Sequence, residues 1–348
     1  MLAEGTLRTV SDLMAEDLIQ PESAAGLEAV AERYAIAITP TVHALINASD
    51  PHDPIAAQYL PSAAELIEHP AERADPIGDH PHSPLEGIVH RYPDRVLLKL
   101  VHVCPVYCRF CFRREMVGPQ GDGNLGPEAL KKALDYIRAD VRIWEVILTG
   151  GDPLILSPRR LREVMRELAT IDHVRIVRIH TRVPAVDPQR ISDDLLEALR
   201  SGGKTLYLAL HVNHARELTS EVRAACARLT ASGVNLVSQS VLLKGVNDNA
   251  DTLADLMRSF VEIGVKPYYL HHPDMAPGTS HFRLTISEGQ AIMQDLRNRL
   301  SGLCLPHYIL DLPGGHGKVE IGTGALRQIE PNRYIVLDRL GQEQLYEG

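Results

Sequence analysis

Short β-branched runs alternate with amphipathic segments from Arg95 onward, and this alternation constrains the fold more than any other feature of the sequence. The runs are almost continuously apolar, as strands of a parallel sheet buried on both faces are. Parallel strands need crossover connections between them, and those are usually helices. The predicted strands are residues 96–103, 144–149, 174–180, 205–212, 235–243 and 266–272. Six units, rather than eight, predict an α/β fold with a partial (βα)6 barrel and helices outside it.

End signals support the helices between these strands. Ser157, followed by a proline, predicts an N-cap with proline at the first helical position. Ser287 with Gln290 predicts a capping box at the start of the last helix. Gly233 and Gly264 are predicted to end the helices before the fifth and sixth strands.

Three regions are predicted along the chain. Residues 1–74 read as a helical N-terminal region, and residues 75–302 as the barrel core. Residues 71–90, rich in proline and histidine, predict an extended connector, because the residue before a proline avoids helix. Residues 303–348 are predicted to form a small C-terminal segment with strand-like pieces of its own.

Charge and hydropathy exclude several classes of protein. The formal net charge of −9 argues against nucleic acid as the main partner. No apolar run reaches the length of a membrane-spanning helix, and the N-terminal residues do not resemble a secretory signal. A cytoplasmic location without a membrane partner is therefore predicted. The oligomeric state stays open, and a homo-oligomer is compatible with the sequence.

Three of the five cysteines lie together just after the first strand. Cys104, Cys108 and Cys111 form a CxxxCxxC pattern, whereas Cys226 and Cys304 are scattered and read as packed thiols. An odd count in a cytosolic chain speaks against a disulfide framework. Three thiolates can hold three irons of a four-iron cluster and leave the fourth iron open. A zinc site, which needs a fourth ligand, and plain packing are the alternatives.

Six motifs in order resemble the lysine 2,3-aminomutase family of radical S-adenosylmethionine (SAM) enzymes. The resemblance extends from about residue 75 to about residue 320. The resemblance implies a radical SAM barrel whose C-terminal segment binds pyridoxal 5′-phosphate (PLP), together with a [4Fe-4S] cluster and SAM. The motifs are HRYPDRVLL (90–98), CPVYCRFCFRR (104–114), LTGGDPL (148–154), HVNH (211–214), SQSVLLKGVND (238–248) and DLPGGHGK (311–318).

The resemblance assigns Cys104, Cys108 and Cys111 to the cluster. Glycines at a strand end let a ligand approach the backbone, and ligands gather at the carboxyl ends of barrel strands. A GGD sequence is also a common turn, and residues near the fourth and fifth strands have structural alternatives. The residues that the resemblance implies for SAM are Gly150, Gly151, Asp152, His211, Asn213 and Gln239.

The glycine-rich segment before Lys318 reads as a loop that passes close to a ligand. The segment does not fit the phosphate-binding P-loop pattern, because Val319 follows the lysine and the spacing differs. By resemblance, Lys318 forms the Schiff base with PLP. His316 departs from the family, which commonly has glycine there. The other residues assigned to PLP are Arg91, Tyr92 and Arg95, for which plain surface charge is the alternative.

Three charged residues are predicted to recognise the substrate. Arg113 suits a two-pronged contact with an α-carboxylate. Asp274 and Asp311 supply two acids that need a cation between them, which a lysine ε-ammonium provides. Asp274 as a turn residue is the alternative.

Together, these assignments predict an isomerase that converts L-lysine to β-lysine, with flavodoxin or ferredoxin as reductant. One rival is a lysine aminomutase that serves β-lysylation of elongation factor P, a role associated with members of about this length. A rival of another class is a non-catalytic iron–sulfur electron-transfer protein, against which the joint presence of Lys318, Arg113, Asp274 and Asp311 argues.

Overall fold

The computed structural model describes residues 3–117, 123–322, 326–338 and 342–347. Within these residues, a nine-stranded sheet follows chain order from its first to its last strand. Its strands are β1 (Ile88–Tyr92), β2 (Arg95–Val101), β3 (Glu145–Gly150), β4 (Ile176–Thr181), β5 (Thr205–His211), β6 (Asn235–Val241), β7 (Lys266–His271), β8 (His307–Leu312) and β9 (Gly317–Glu320).

The strands β2 to β8 are parallel, and β1 and β9 flank them as antiparallel edge strands. The six predicted strands are confirmed as β2 to β7, with ends shifted by a few residues. Strand β1 was not predicted from the sequence, and it lies partly in the predicted connector of residues 71–90. The predicted boundary at residue 303 cuts across the sheet, since β8 and β9 continue it.

Helices precede the sheet and connect its parallel strands. In the described part of the chain they are α1 (Val10–Ala15), α2 (Ala24–Arg33), α3 (Pro40–His43), α4 (Pro54–Tyr59), α5 (Pro127–Ala139), α6 (Pro158–Ala169), α7 (Val183–Val186), α8 (Asp193–Arg200), α9 (Ser220–Ala231), α10 (Ala250–Glu262) and α11 (Ile286–Arg299). The crossover helices bury one apolar face each. In α6 that face consists of Leu161, Val164, Met165 and Leu168.

Capping confirms one predicted helix start and corrects another. The Ser157 hydroxyl accepts from the Arg160 backbone N–H at 3.3 Å, so α6 begins as predicted. The capping box of α11 is formed by Thr285 and Glu288. The predicted box at Ser287 is wrong because the helix begins at Ile286, which places that serine inside its first turn.

Strand alternation separates an apolar outer face from a polar interior. In β4, Val177 and Ile179 are buried in the hydrophobic core, whereas Arg178 and His180 line the barrel interior. His271 faces the same interior from β7. Successive side chains of a strand point to opposite faces, so every second residue reaches the interior. The barrel therefore has a polar interior, which the nearly continuous apolar runs did not reveal.

The last described strands form a separate three-stranded sheet. Its members are β10 (Leu326–Glu330), β11 (Arg333–Leu337) and β12 (Glu343–Glu347), with β11 between its two antiparallel neighbours. In the portions of the chain described here, none of the helices combines the length and apolar character required to span a bilayer.

Candidate active site

The barrel encloses a cavity of about 530 Å³. This cavity gathers almost every residue that the sequence predicted for the site, from β1 to β9. The predicted residues in its wall are Arg91, Tyr92, Arg95, Cys104, Cys108, Cys111, Arg113, Gly150, Gly151, Asp152, His211, Gln239, Asp274, Asp311 and Lys318. Asn213 is not in the wall.

The loop after β2 carries the three clustered cysteines into the cavity wall. Burial raises the pKa of all three thiols, that of Cys111 to about 11. Metal binding must therefore displace protons from them. Among the described residues, no three His, Cys, Asp or Glu side chains are close enough to hold a single ion. The three thiols need not converge on one ion to hold a four-iron cluster, because each ligated iron takes one thiolate.

Buried ion pairs tie this loop to the N-terminal region. Both carboxylate oxygens of Glu65 accept hydrogen bonds from Nε of Arg109, at 2.9 and 3.1 Å. Glu65 also pairs with the guanidinium group of Arg114. A distant carboxylate thus sets the path of the cysteine loop. Glu65 was not predicted as part of the site. Its local sequence pattern with Ser62 indicates only a capping box at the start of a short helix.

The glycines at the end of β3 let the chain before the cysteine loop pass very close. A Cβ at Gly150 would lie 2.3 Å from the carbonyl oxygen of Val101. A Cβ at Gly151 would lie 2.2 Å from that of Val103. The glycines therefore position the cysteine loop as well as lining the cavity.

The Asp152 carboxylate accepts hydrogen bonds from a side chain and from backbone N–H groups of the protein. Its Oδ1 accepts from the Thr181 hydroxyl at 2.7 Å and from the Leu154 N–H at 3.0 Å. Its Oδ2 accepts from the backbone N–H groups of Arg182 and Val183, at 2.7 and 3.1 Å. Asp152 therefore joins the ends of β3 and β4, and its predicted contact with an ammonium group stays a prediction.

The residues predicted after β5 separate into two environments. His211 lines the cavity, and burial holds its pKa well below the ordinary value. Asn213 lies outside the wall, where its side-chain oxygen accepts from the Val241 N–H at 2.9 Å and its amide donates to Gln58 at 3.1 Å. The predicted cofactor contact of Asn213 stays a prediction. Strand β5 ends at His211, so strand alternation no longer directs the side chain at 213 inward.

Lys318 lies in β9 directly after the glycine loop. Its Nζ pairs with Asp311, its neighbour in the β8–β9 register, and its backbone N–H donates to the Tyr92 hydroxyl at 2.8 Å. Gly317 has a φ of +90°, and a Cβ there would lie 2.9 Å from that hydroxyl. His316 is exposed and is not part of the cavity wall.

Arg91 and Arg113 share one carboxylate that the sequence analysis missed, that of Asp79. Its two oxygens accept from Arg91 at 2.9 Å and from Arg113 at 2.8 Å. Burial opposes ionisation of Asp79, but the two guanidinium groups hold its pKa below the ordinary value. Asp79 lies in the predicted connector, where an acid among prolines and histidines gives no functional signal.

Arg95 lies at the amino end of β2, away from the cysteine loop that follows its carboxyl end. Its guanidinium carbon lies 3.7 Å from the centre of the Tyr92 ring, and it pairs with Asp94 at 2.7 Å. Since both ends of β2 contribute to the wall, the cavity extends along the strand.

Two buried carboxylates face the cavity with opposite protonation tendencies. Burial, and then repulsion from Asp311, raises the pKa of Asp274 to about 7. Asp311 is buried too, but a hydrogen bond from His271 and the charge of Lys318 hold its pKa well below the ordinary value. Such a pair of carboxylates favours a cation between them.

His271, which the sequence analysis missed, connects this acid pair to Gln239. Its Nδ1 lies 3.5 Å from Oδ2 of Asp311, and its Nε2 lies 3.2 Å from the amide nitrogen of Gln239. Burial lowers the pKa of His271, so the ring is neutral at pH 7. A neutral ring with its proton on Nδ1 donates to Asp311 and accepts from Gln239.

Arg182 directly contacts one of the predicted cluster ligands and was also missed. Its Nη1 lies 3.2 Å from Sγ of Cys108. Its Nη2 donates to Gln58 and Glu217, both at 2.6 Å. Arg182 follows β4, and its sequence context of apolar residues and prolines gives no signal of a contact with the cysteine loop.

Residues 98–257 match the Radical SAM superfamily. The L-lysine 2,3-aminomutase of Clostridium subterminale is 40% identical to this chain over 90% of the chain and 75% of its own length. The chain belongs to the lysine 2,3-aminomutase family. A second lysine 2,3-aminomutase, from Acetoanaerobium sticklandii, is 37% identical over 98% of this chain and 82% of its own length. The glutamate 2,3-aminomutase of Clostridioides difficile is 36% identical over 85% of this chain and 69% of its own length.

Membership confirms the predicted family and the radical SAM fold, and it makes the chain an isomerase, since aminomutases are isomerases. The superfamily implies a [4Fe-4S] cluster and SAM. The cavity wall fits polar ligands, because several buried polar atoms in it have no hydrogen-bond partner among the described residues. These atoms are Arg91 Nε, Arg113 Nε, Arg178 Nε, His180 Nε2, Arg182 Nε, His211 Nε2, Asp274 Oδ1 and Asp311 Oδ1.

Proposed function

We propose that this member of the family converts L-lysine to β-lysine by moving the amino group from C2 to C3. The observation that supports the proposal best is the presence of Asp274, Asp311, Lys318 and Arg113 in the wall of one cavity. They offer two acids for a side-chain ammonium, a guanidinium group for an α-carboxylate and an amine for an aldehyde cofactor. A long substrate with a cation at one end matches this arrangement.

The acid pair is proposed to bind the ε-ammonium group of lysine. Asp311 already pairs with the alkylammonium group of Lys318. If Lys318 held PLP through Nζ, it would no longer present a free ammonium group to Asp311, and this carboxylate would be available to the substrate ammonium. Asp274, with its pKa near 7, loses its proton as the cation arrives, because an opposite charge favours the ionised carboxylate.

The α-carboxylate is proposed to bind Arg113. Asp79 holds one Nη of this guanidinium, Arg113 lines the cavity, and its Nε has no hydrogen-bond partner among the described residues. A carboxylate can therefore accept from Arg113 while Asp79 fixes the orientation of the group. Arg113 and the acid pair then hold the two ends of the substrate.

The chain's own residues are proposed to hold three cofactors. The cluster would lie on Cys104, Cys108 and Cys111, and SAM beside the backbone of residues 150–151, near His211. Lys318 would hold PLP, with further contacts from Arg91, Tyr92 and Arg95. When bound, these groups supply a radical that removes hydrogen from the substrate and a carbonyl carbon that carries the migrating nitrogen. The protein orients the reactants and keeps water away from them.

Glutamate is disfavoured as the substrate although one relative is a glutamate 2,3-aminomutase. A side-chain carboxylate would meet Asp311, whose low pKa keeps it charged. A low-potential one-electron donor such as flavodoxin or ferredoxin is proposed as the reductant. β-Lysine for free use and β-lysine for attachment to elongation factor P are the same product, so this geometry serves either role.

Anaerobic reconstitution tests the proposal. The purified chain is loaded with iron, sulfide and PLP, reduced in the presence of SAM, and given L-lysine or L-glutamate in separate reactions. Formation of β-lysine with little or no β-glutamate is expected. Borohydride should trap PLP on Lys318, whereas a label on Lys99 or Lys244 would contradict the assignment.

Two variants separate substrate recognition from loss of the fold. Asp311→Asn should lose lysine turnover and keep the borohydride label on Lys318. Asp135→Asn, a change of the same kind at an exposed residue of α5, should behave as the unaltered chain does. Equal use of lysine and glutamate by the unaltered chain would refute lysine as the substrate.

A further inference from the structure

We propose that Arg182 positions Cys108 and raises the reduction potential of the cluster that this cysteine would hold. Arg182 is 5% exposed, and its Nη1 lies 3.2 Å from Sγ of Cys108. The inference rests on the proposed cluster. It concerns a residue that does not touch the substrate-binding carboxylates and that the sequence motifs did not single out.

The guanidinium group of Arg182 has partners at both Nη atoms, whereas its Nε has no hydrogen-bond partner among the described residues. Glu217 and Gln58 accept from Nη2, each at 2.6 Å, which directs Nη1 toward the sulfur. The rings of Tyr59 and Phe110 lie 5.0 and 5.2 Å from the guanidinium carbon. A buried arginine held in this way keeps one orientation, so its contact with Cys108 is a fixed feature of the site.

The charges around Arg182 explain a direct effect on the cluster. Arg182 carries one positive charge, which Glu217 balances. A ligating Cys108 thiolate adds a second negative charge within hydrogen-bond distance of the same guanidinium. Hydrogen bonds and positive charge at a ligand sulfur stabilise the electron-rich reduced cluster and thereby raise its potential. Reduction adds one electron from an external low-potential donor, and no bond to Arg182 forms or breaks.

Glu217 provides a second variant with the opposite expected sign. Glu217→Gln leaves the charge of Arg182 unbalanced beside Cys108, so the potential should rise. Arg182→Gln removes the positive charge and leaves Glu217, so the potential should fall. Loosening of the fold alone predicts no such opposition of sign. Arg283→Gln is a control outside the cavity wall, because Arg283 is a half-buried arginine in an ion pair, with Glu72 at 2.6 Å.

The experiment is an anaerobic titration of reconstituted protein with dithionite and redox mediators, followed by electron paramagnetic resonance. At one fixed potential, Arg182→Gln should lower the ratio of reduced to oxidised cluster about tenfold, the scale expected for a lost hydrogen bond to a charged group. Glu217→Gln should raise this ratio, and Arg283→Gln should leave it unchanged. Iron and sulfide per chain and circular dichroism are measured on every variant.

Several outcomes decide the inference. An unshifted Arg182→Gln cluster, or shifts of the same sign in the Arg182 and Glu217 variants, would overturn it. If Arg182→Gln folds without retaining iron, that result supports positioning of Cys108, and Glu217→Gln together with Arg182→Lys decides the effect on potential. A reconstituted unaltered chain without any cluster signal would refute the proposed cofactor itself, and the inference with it.

Discussion

The hydroxyl of Tyr92 accepts a hydrogen bond from the backbone N–H of Lys318 at 2.8 Å. Tyr92 lies on β1 and Lys318 on β9, the two edge strands of the nine-stranded sheet. The contact therefore links opposite edges of the sheet and nearly closes the barrel. It also fixes the backbone of the lysine proposed to hold PLP.

Tyr92→Phe tests this link. The variant leaves the Lys318 N–H without its acceptor, and the free energy of unfolding should fall by about 1–2 kcal/mol. Affinity for PLP should fall as well, because β9 is held less firmly. Chemical denaturation and PLP titration measure the two effects. Tyr346→Phe, at an exposed position in β12, is the control and should change neither. Unchanged PLP affinity in Tyr92→Phe would contradict the role of the hydroxyl.

Gly151→Ala should destabilise the chain and reduce its iron content. The new Cβ would lie 2.2 Å from the carbonyl oxygen of Val103, so the chain leading to Cys104 must move. The cost should be about 1–3 kcal/mol, as for other overpacked sites. Gly26→Ala, in α2 with no atom within 4 Å of the added carbon, should instead be neutral or slightly stabilising. Thermal unfolding and iron analysis compare the two variants, and full iron content in Gly151→Ala would refute the expectation.

Asp274 should make the cofactor-free protein less stable as the pH rises. Its pKa is about 7 in the folded chain and near 4 when unfolded, so between these values only the folded state holds the proton. The contribution of Asp274 to the free energy of unfolding is fully present below about pH 4. It decreases as the pH rises to 7, by up to about 1.4 kcal/mol per pH unit. Asp311 acts in the opposite sense, because its pKa is lowered. Unfolding of Asp274→Asn and the unaltered chain from pH 5 to 8 measures the difference, which should favour the variant increasingly. A pH-independent difference would contradict the buried, protonated state.

Substrate choice should depend on Asp311 and Arg113 in different ways. Losing one partner of a buried ammonium contact costs on the order of 2–5 kcal/mol, so Asp311→Asn should lower kcat/KM for lysine by roughly 30-fold or more. Arg113→Lys should reduce turnover of every α-amino acid, because lysine cannot form the two-pronged contact. The measurements are kcat/KM values for L-lysine, L-glutamate and L-alanine. If Asp311→Asn and Asp274→Asn both keep the lysine preference, the acids do not recognise the ε-ammonium group.

Local sequence signals predicted the barrel strands, and most of the residues that they suggested for the site lie in the wall of one cavity. Strands β2 to β7 could be predicted because apolar β-branched runs are local patterns. The wall positions of Cys104, Cys108, Cys111 and Lys318 followed from compact motifs at strand and loop ends. The capping box of α11 was misplaced by two residues, since two capping sequences compete within the same short segment.

The site residues that were not predicted have ion-pair or hydrogen-bond partners that lie far away in the sequence. Asp79 belongs to the site because Arg91 and Arg113 both reach it, and Glu65 because Arg109 and Arg114 do. A single acid in a connector or at a helix start carries no local signal of such a partner. The hydrogen bonds of Asn213 to Gln58 of α4 and to Val241 of β6 also have no local sequence signal, and its predicted cofactor contact stays a prediction.

The sequence by itself determined the strand–helix alternation, the cysteine loop, the glycine loop with its lysine and the family that these motifs indicate. Tertiary structure alone decided which charges meet. It pairs Lys318 with Asp311 and brings Arg182 into contact with the sulfur of Cys108. It also brings the Tyr92 hydroxyl to the backbone N–H of Lys318. The physical reason is that backbone patterning depends on neighbours along the chain, whereas burial and charge pairing depend on which distant strand ends the closed sheet brings together.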